Sequence, residues 1–368
     1  MTLVARLTPG GFPLLVGDIL ISGPELPDTP LTLPTIVDIT DIFPTGSGFV
    51  PIRLAQKITV VGDNLVIAWA GQALTASTVI KDLVSKNRVK PFTNDTLMDY
   101  FANLDSNIWD TGLAFLGFIQ DAKGIAQFGF QYWEVPTQSF GKIGMIGSGM
   151  NVFETVIHDL PSSQGSIVNG SPNKLEMALV TGLQLSGTLL TTELFTSDFL
   201  LNYFGGGYEV ASLVNGKFEK LREGSYLFWY GNLTGTNKGF NLHQVEKYQY
   251  SGDTLVIRSV TFSDYARGRP TKVTRDTTFA VPPAYSHAQA AAPTGSRVDM
   301  NSKWVCSYFF VPNTGKPGVA VFADVHYTAD IAKSPIHFQE MDGQALIVGY
   351  ERECLDGALK RAIASYKP

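Results

Sequence analysis

The chain has 368 residues, of which 44% are hydrophobic and 17% charged, with 28 Lys plus Arg against 33 Asp plus Glu and a net charge of −5. This composition excludes a disordered chain and lacks the basic footprint of a nucleic-acid binder. No apolar run approaches the roughly 20 residues that span a bilayer, and Pro9, Gly10, Gly11 and Pro13 break the N-terminus where a secretory signal needs an apolar helix. Cys306 and Cys354 lack metal-ligand spacing, and the five histidines (His158, His243, His287, His326, His337) are scattered. The expectation is a cytoplasmic chain with reduced thiols, no cofactor and no metal, and with neither nucleic acid nor membrane as partner.

In chain order, two short apolar runs, Leu3 to Leu7 and Pro13 to Ser22, flank the turn signal Thr8-Pro9-Gly10-Gly11. A proline-rich excursion from Pro24 to Pro51 follows, and then two β-rich runs around Gly62-Asp63-Asn64. Leu74 to Lys86 has helical spacing, with Leu74, Val79, Ile80 and Leu83 on one face. A second helix follows an N-cap at Thr93 or Asn94. Strands are predicted at Leu113 to Gln120, Ala126 to Val135 and Lys142 to Ile146. Helices resume at Asn151 to Asp159 and at Pro172 to Leu190, the latter with Ser171 as N-cap and Pro172 in the first turn. Beyond Gly207 six strand-like segments are read, from Tyr208 to Val214 through Gln344 to Tyr350, and a last helix fits Glu353 to Tyr366. Segregated runs of strands and helices argue for an α+β fold with face-to-face antiparallel sheets and helices outside.

The chemistry begins at Thr2. Loss of Met1 would leave a threonine with a hydroxyl and a free α-amine, a nucleophile carrying its own base. An α-amine titrates near 7.7–8.0, so a nearby cation keeps it neutral at physiological pH. Two separations in the chain stand out beside it, from Thr2 to the Gly17-Asp18 pair and from Lys57 to Gly71.

With these spacings, "MTLVARLTPGGFPLLVGDILISG" and "AQKITVVGDNLVIAWAGQALTASTVIKDLV" resemble the proteasome β-subunit family of N-terminal-nucleophile hydrolases over residues 2–220. The resemblance implies a four-layer αββα sandwich for residues 1–220, carrying a Pro-rich insertion at 23–52, with residues 221–368 as a β-rich C-terminal extension. It implies Thr2 as nucleophile, Lys57 held by Asp18 to lower the amine pKa, and the Gly71 N–H at the oxyanion. Gly147-Ser148-Gly149 matches the family's "GSG", which puts Ser148 beside the amine. The pattern D-x-x-S-G-G that supports the amine aligns with Asn202 to Gly207, where Asn202 replaces the Asp and Gly205 the Ser. An Asn brings no charge and a Gly no hydroxyl.

The activity implied is threonine-type hydrolysis of peptide or amide bonds. The altered Asn202 and Gly205 favour an inactive structural subunit as the alternative, and a small-molecule amidase on the same fold is a second. The resemblance also implies peptide substrates, a homo-oligomer arranged as a ring or helical stack, and room for an unfoldase partner.

Overall fold

A computed structural model describes residues 2–24, 31–35, 39, 42–43, 48–137, 140–159, 167–168, 173–196, 198–232, 239–263, 270–286, 298–312, 319–341 and 345–365. The predicted N-cap at Ser171 and Pro172 lies outside the described residues, as does much of the Pro-rich insertion.

The chain opens with β1 (Val4–Leu7) and β2 (Leu14–Asp18), an antiparallel hairpin turned at Pro9–Gly11. β3 (Leu20–Pro24) and β4 (Phe49–Leu54) pair across the insertion. β5 (Ile58–Gly62) and β6 (Leu65–Ala70) follow, and then α1 (Ala73–Val89), α2 (Asn94–Ala102) and the single turn α3 (Ser106–Trp109). Thr93 caps α2 in a reciprocal capping box with Thr96. β7 (Ala114–Asp121) and β8 (Gly124–Phe130) lead through Gln131, whose φ is 53°, into β9 (Trp133–Thr137) and β10 (Gly141–Ile146). The single strand predicted at Ala126 to Val135 is therefore two, and they belong to different sheets. α4 (Met150–Asp159), β11 (Ile167–Val168), α5 (Lys174–Thr196), β12 (Tyr208–Val214) and β13 (Lys217–Lys220) complete the N-terminal part of the chain.

Besides the β3–β4 pair, two larger sheets come from this part. One has the order β13-β12-β2-β1-β10-β9 and the other β5-β6-β7-β8. Their inner faces share a core that includes Val4, Leu15, Ile58, Ala68, Leu116 and Ile146. α1 buries Ala76, Val79, Ile80 and Leu83, at helical spacing, on the outer side of the smaller sheet.

The remaining chain is β14 (Glu223–Asn232), β15 (Gly239–Ser251), β16 (Thr254–Phe262), β17 (Pro270–Val281), β18 (Trp304–Pro312), β19 (Val319–Tyr327), β20 (Ile336–Met341), β21 (Ala345–Tyr350) and α6 (Arg352–Ser365). With β11 these strands form one nine-stranded sheet in the order β11-β19-β18-β14-β15-β16-β17-β21-β20. The strands of one end, β20 and β21, share a core with its middle strands, in which Leu227, Val245 and Val260 meet Phe338 and Val348.

The expected four-layer αββα sandwich with an appended extension is not what forms. Of the described residues 47% are strand and 28% helix, with six α-helices, large antiparallel sheets and a curled half-barrel. The reason lies in α5, which from Ala178 to Glu193 is buried on nearly every side, its polar Ser186, Thr191, Thr192 and Glu193 included. A Cβ on Gly182 would lie 2.8 Å from Val210 of the six-stranded sheet, whereas a Cβ on Gly187 would run into the Tyr308 ring of the nine-stranded sheet. Helical geometry places these two glycines about 140° apart around the axis. The Tyr308 hydroxyl donates to the Leu183 carbonyl. A sheet, not solvent, covers this helix, and one apolar cluster runs from Leu14 and Val16 through Leu183 and Leu189 to Tyr226, Phe228 and Tyr308. This cluster draws residues from both sides of Lys220.

Candidate functional site

β1 is short and begins just beyond Thr2, so the residues that fix β1 also fix the threonine. Asp18 ends the neighbouring β2. Its backbone N–H donates to the Leu3 carbonyl at 2.9 Å, and its Oδ1 accepts from the Leu3 N–H at 3.0 Å. The Thr2 carbonyl accepts from the Gly149 N–H at 3.2 Å. Gly147, with φ of 98°, passes so close that a Cβ would lie 2.5 Å from the Thr2 carbonyl carbon.

Lys57 enters from the strand-start before β5, in the other sheet. Its Nζ donates to Thr2 Oγ1, to the Leu20 carbonyl at 2.9 Å and to Asp18 Oδ1 at 3.5 Å. An ammonium has three donors, and all three are used. Nζ also lies 5.1 Å from the centroid of the Trp69 ring, a cation–π contact. Thr2 is 1% exposed, and Lys57 and Asp18 are 0% exposed. Burial lowers the Lys57 pKa, and the facing Asp18 opposes it. Burial likewise raises Asp18, opposed by Lys57 and by the N–H groups of Leu3 and Gly205.

The structure therefore joins three of the predicted residues in one contact set and adds a fourth, since the Gly205 N–H donates to Asp18 Oδ2 at 3.2 Å. Gly205 contributes a backbone donor where the resembled pattern has a hydroxyl. Gly71 follows β6 with φ of 102°, and a Cβ there would lie 2.9 Å from Leu113 Cα and closer still to the Gly112 carbonyl oxygen. Backbone packing alone requires glycine at that position. The Ser148 side chain is exposed, and its hydroxyl donates to the Asn202 carbonyl at 2.7 Å. Asn202 is exposed too, at the end of a 3₁₀ turn, and meets Ser148 through its main chain.

Two buried carboxylates escape a reading of the sequence. Glu209 Oε2 accepts from the backbone N–H of Lys57 at 2.6 Å and of Ile58 at 3.1 Å, and its Oε1 accepts from Lys220 Nζ at 2.6 Å and the Tyr250 hydroxyl at 2.8 Å. Glu209 thus fixes the main chain that carries Lys57. Glu193, on α5, accepts from the Gly206 N–H. The available signal is a lone acid inside an apolar run, "YEVASLV" in one case and "LLTTELF" in the other.

No family model matches the chain, and no curated protein matches it. Among the described residues no three His, Cys, Asp or Glu side chains gather as a metal site requires, and no helix is long and apolar enough to cross a membrane. A surface cavity of about 420 Å³ lies beyond Lys57 along β5, lined by residues including Gln56, Ile58, Lys220, Tyr250 and Tyr285. None of the predicted site residues lines it.

Chemically, the set can hold a threonine hydroxyl against a buried cation whose position is fixed by a carboxylate and a carbonyl. That cation lies in a low-dielectric setting, where its field on neighbouring groups is strong.

Proposed function

We propose that this chain is a threonine-type hydrolase of peptide or amide bonds, with Thr2 as nucleophile once Met1 is removed. The observation that carries the reading is the hydrogen bond from Lys57 Nζ to Thr2 Oγ1, in a contact set closed by Asp18. Thr2 Oγ attacks the substrate carbonyl carbon while the Thr2 amine takes the hydroxyl proton. The same proton then goes to the leaving amine as the C–N bond breaks. Water attacks the resulting ester, again with the amine as base, and releases the acid. The charge on Lys57 keeps the amine neutral beforehand, and the Gly71 N–H stabilises the oxyanion. On this reading the chain works in the cytoplasm on peptides, as a homo-oligomer served by an unfoldase.

The rival reading is an inactive structural subunit. It is favoured by the burial of Thr2, Lys57 and Asp18, which leaves the hydroxyl almost no accessible surface. One experiment separates the two. Intact mass of the protein from its native host, followed by labelling with a threonine-directed β-lactone, should show a chain without Met1 that gains one label. Thr2→Ala should abolish that label, and Lys57→Ala should slow it by about a hundredfold or more. A chain that keeps Met1 quantitatively, or a label that survives Thr2→Ala, rules out the hydrolase.

A further inference from the structure

Glu193 is fully buried, and among the described residues its carboxyl group is hydrogen-bonded by Thr35 and Gly206 rather than by a cation. Asp18 on β2 and Glu246 on β15 face it as like charges. Tyr208 on β12 and Tyr248 on β15 face it with phenols, and Arg275 on β17 acts on Glu246. From the insertion, the Thr35 hydroxyl donates to Oε1.

The Gly206 N–H donates to both carboxyl oxygens of Glu193 at 3.0 Å. One residue earlier, the Gly205 N–H donates to Asp18 Oδ2. Consecutive amides of one glycine run thus bridge the acid on α5 and the acid that holds Lys57. A Cβ on Gly205 would lie 3.0 Å from Glu193 Cδ and closer still to Oε2. The carboxyl group therefore fills the volume that a serine side chain would need there.

We propose that Glu193 is a positioning residue for the Thr2–Lys57–Asp18 site, whose carboxyl group fixes Gly205 and Gly206 so that the Gly205 amide keeps Asp18 aimed at Lys57. Its effect on hydrolysis rests on the hydrolase reading above; its effect on the glycine run does not. Burial, with Glu246 and Asp18 adding to it and the Thr35 and Gly206 hydrogen bonds opposing it, pushes the Glu193 pKa up to about 8, so the protonated form prevails at physiological pH. Ionisation above that pH sets a second negative charge against Asp18, one glycine further along the same run.

The test uses the full chain freed of Met1, as wild type, Glu193→Gln and Glu193→Ala. Two quantities are followed across about pH 6 to pH 10: the β-lactone labelling rate and the hydrogen-exchange protection of the 203–208 amides. Glu193→Ala should slow labelling by about tenfold and deprotect these amides. Glu193→Gln, neutral at every pH, should keep both near wild type at pH 7. Above about pH 8 it should fall less steeply than wild type. Deprotonation of Lys57 lowers both profiles alike, so wild-type and Glu193→Gln profiles that coincide from about pH 6 to pH 10 overturn the proposal, as does unchanged protection in a folded Glu193→Ala. If Glu193→Ala does not fold, the Glu193→Gln profile decides alone. If wild type takes no label, the hydrolase reading fails, and amide protection still decides the role of Glu193.

Discussion

Gly147 packs its backbone against the backbone of Thr2, so close that a Cβ on it would lie 2.5 Å from the Thr2 carbonyl carbon and 3.1 Å from Thr2 Cβ. Its φ of 98° is also one that only glycine adopts freely. Gly124, with φ of 117° and nothing within 4 Å of an added Cβ, bears the conformational cost alone. Gly124→Ala should therefore cost about 1–2 kcal/mol in urea unfolding. Gly147→Ala should cost clearly more and slow labelling of Thr2, because the clash falls on the nucleophile's own backbone. Equal costs at the two positions would show that the Thr2 segment yields freely.

The parts of this site that can be read in the sequence are those that carry the family resemblance, although Lys57 meets Thr2 and Asp18 from far along the chain. Asp18 follows Thr2 along one hairpin, and Lys57 and Gly71 flank the β5–β6 hairpin, so strand lengths set both separations. Glu209 and Glu193 cannot be found that way. Their partners include main-chain N–H groups of Lys57, Ile58 and Gly206, and any residue but proline supplies an N–H. α5 reads as an outer helix although Gly182, Ser186 and Gly187 interrupt an apolar surface, a pattern that suits close approach on two sides. β15 and β17 escape notice because "NLHQVEKYQ" and "TKVTRDTT" are polar, their strand character coming from alternation and cross-strand pairing rather than hydrophobicity.

Glu209 holds two backbone amides, a lysine and a tyrosine hydroxyl while itself buried. Removal of its carboxylate takes the acceptor from the two amides and the tyrosine, and Lys220, 14% exposed, loses its ion partner and keeps, among the described residues, only Gln56 Oε1 as acceptor. Glu209→Ala should lower stability by about 3 kcal/mol or more, and chemical denaturation measures it directly. Glu209→Gln should recover part of that loss, since an amide oxygen still accepts two of the bonds. A loss below about 1 kcal/mol for Glu209→Ala would mean that water replaces the carboxylate there.

Glu193 and Glu246 give the fold a pH dependence of definite sign. Burial pushes the first up to about 8 and the second up to about 7, from an ordinary value of 4.5. Both folded-state values lie above the unfolded one, so the folded chain binds more protons between them. Stability is then fully present below about pH 4.5 and is lost as pH rises toward pH 8. The thermal midpoint should fall across that window, and the double variant Glu193→Gln, Glu246→Gln should flatten the profile. An unchanged slope in the double variant would assign the dependence to other groups, with the buried Asp18–Lys57 pair the first to examine.

Removal of residues 221–368 should cost the remaining chain its fold, because the strands removed cover α5. The apolar cluster around Leu183 and Leu189 draws Tyr226, Phe228, Tyr248, Ile257, Trp304, Tyr308 and Val325 from the part removed. Without them the far side of α5 meets water, and burial of that surface at roughly 25 cal/mol per Å² is lost. The truncated chain should accordingly be insoluble, or compact without a fixed near-ultraviolet circular dichroism signal. A point substitution reads the same interface without deletion. Gly187→Leu drives a side chain into the Tyr308 ring and should destabilise the full chain by about 1–3 kcal/mol or more. Leu74→Gln, at a position 64% exposed on α1, should change little. Cooperative unfolding of residues 1–220 alone at the midpoint of the full chain would show instead that the nine-stranded sheet is a separable addition.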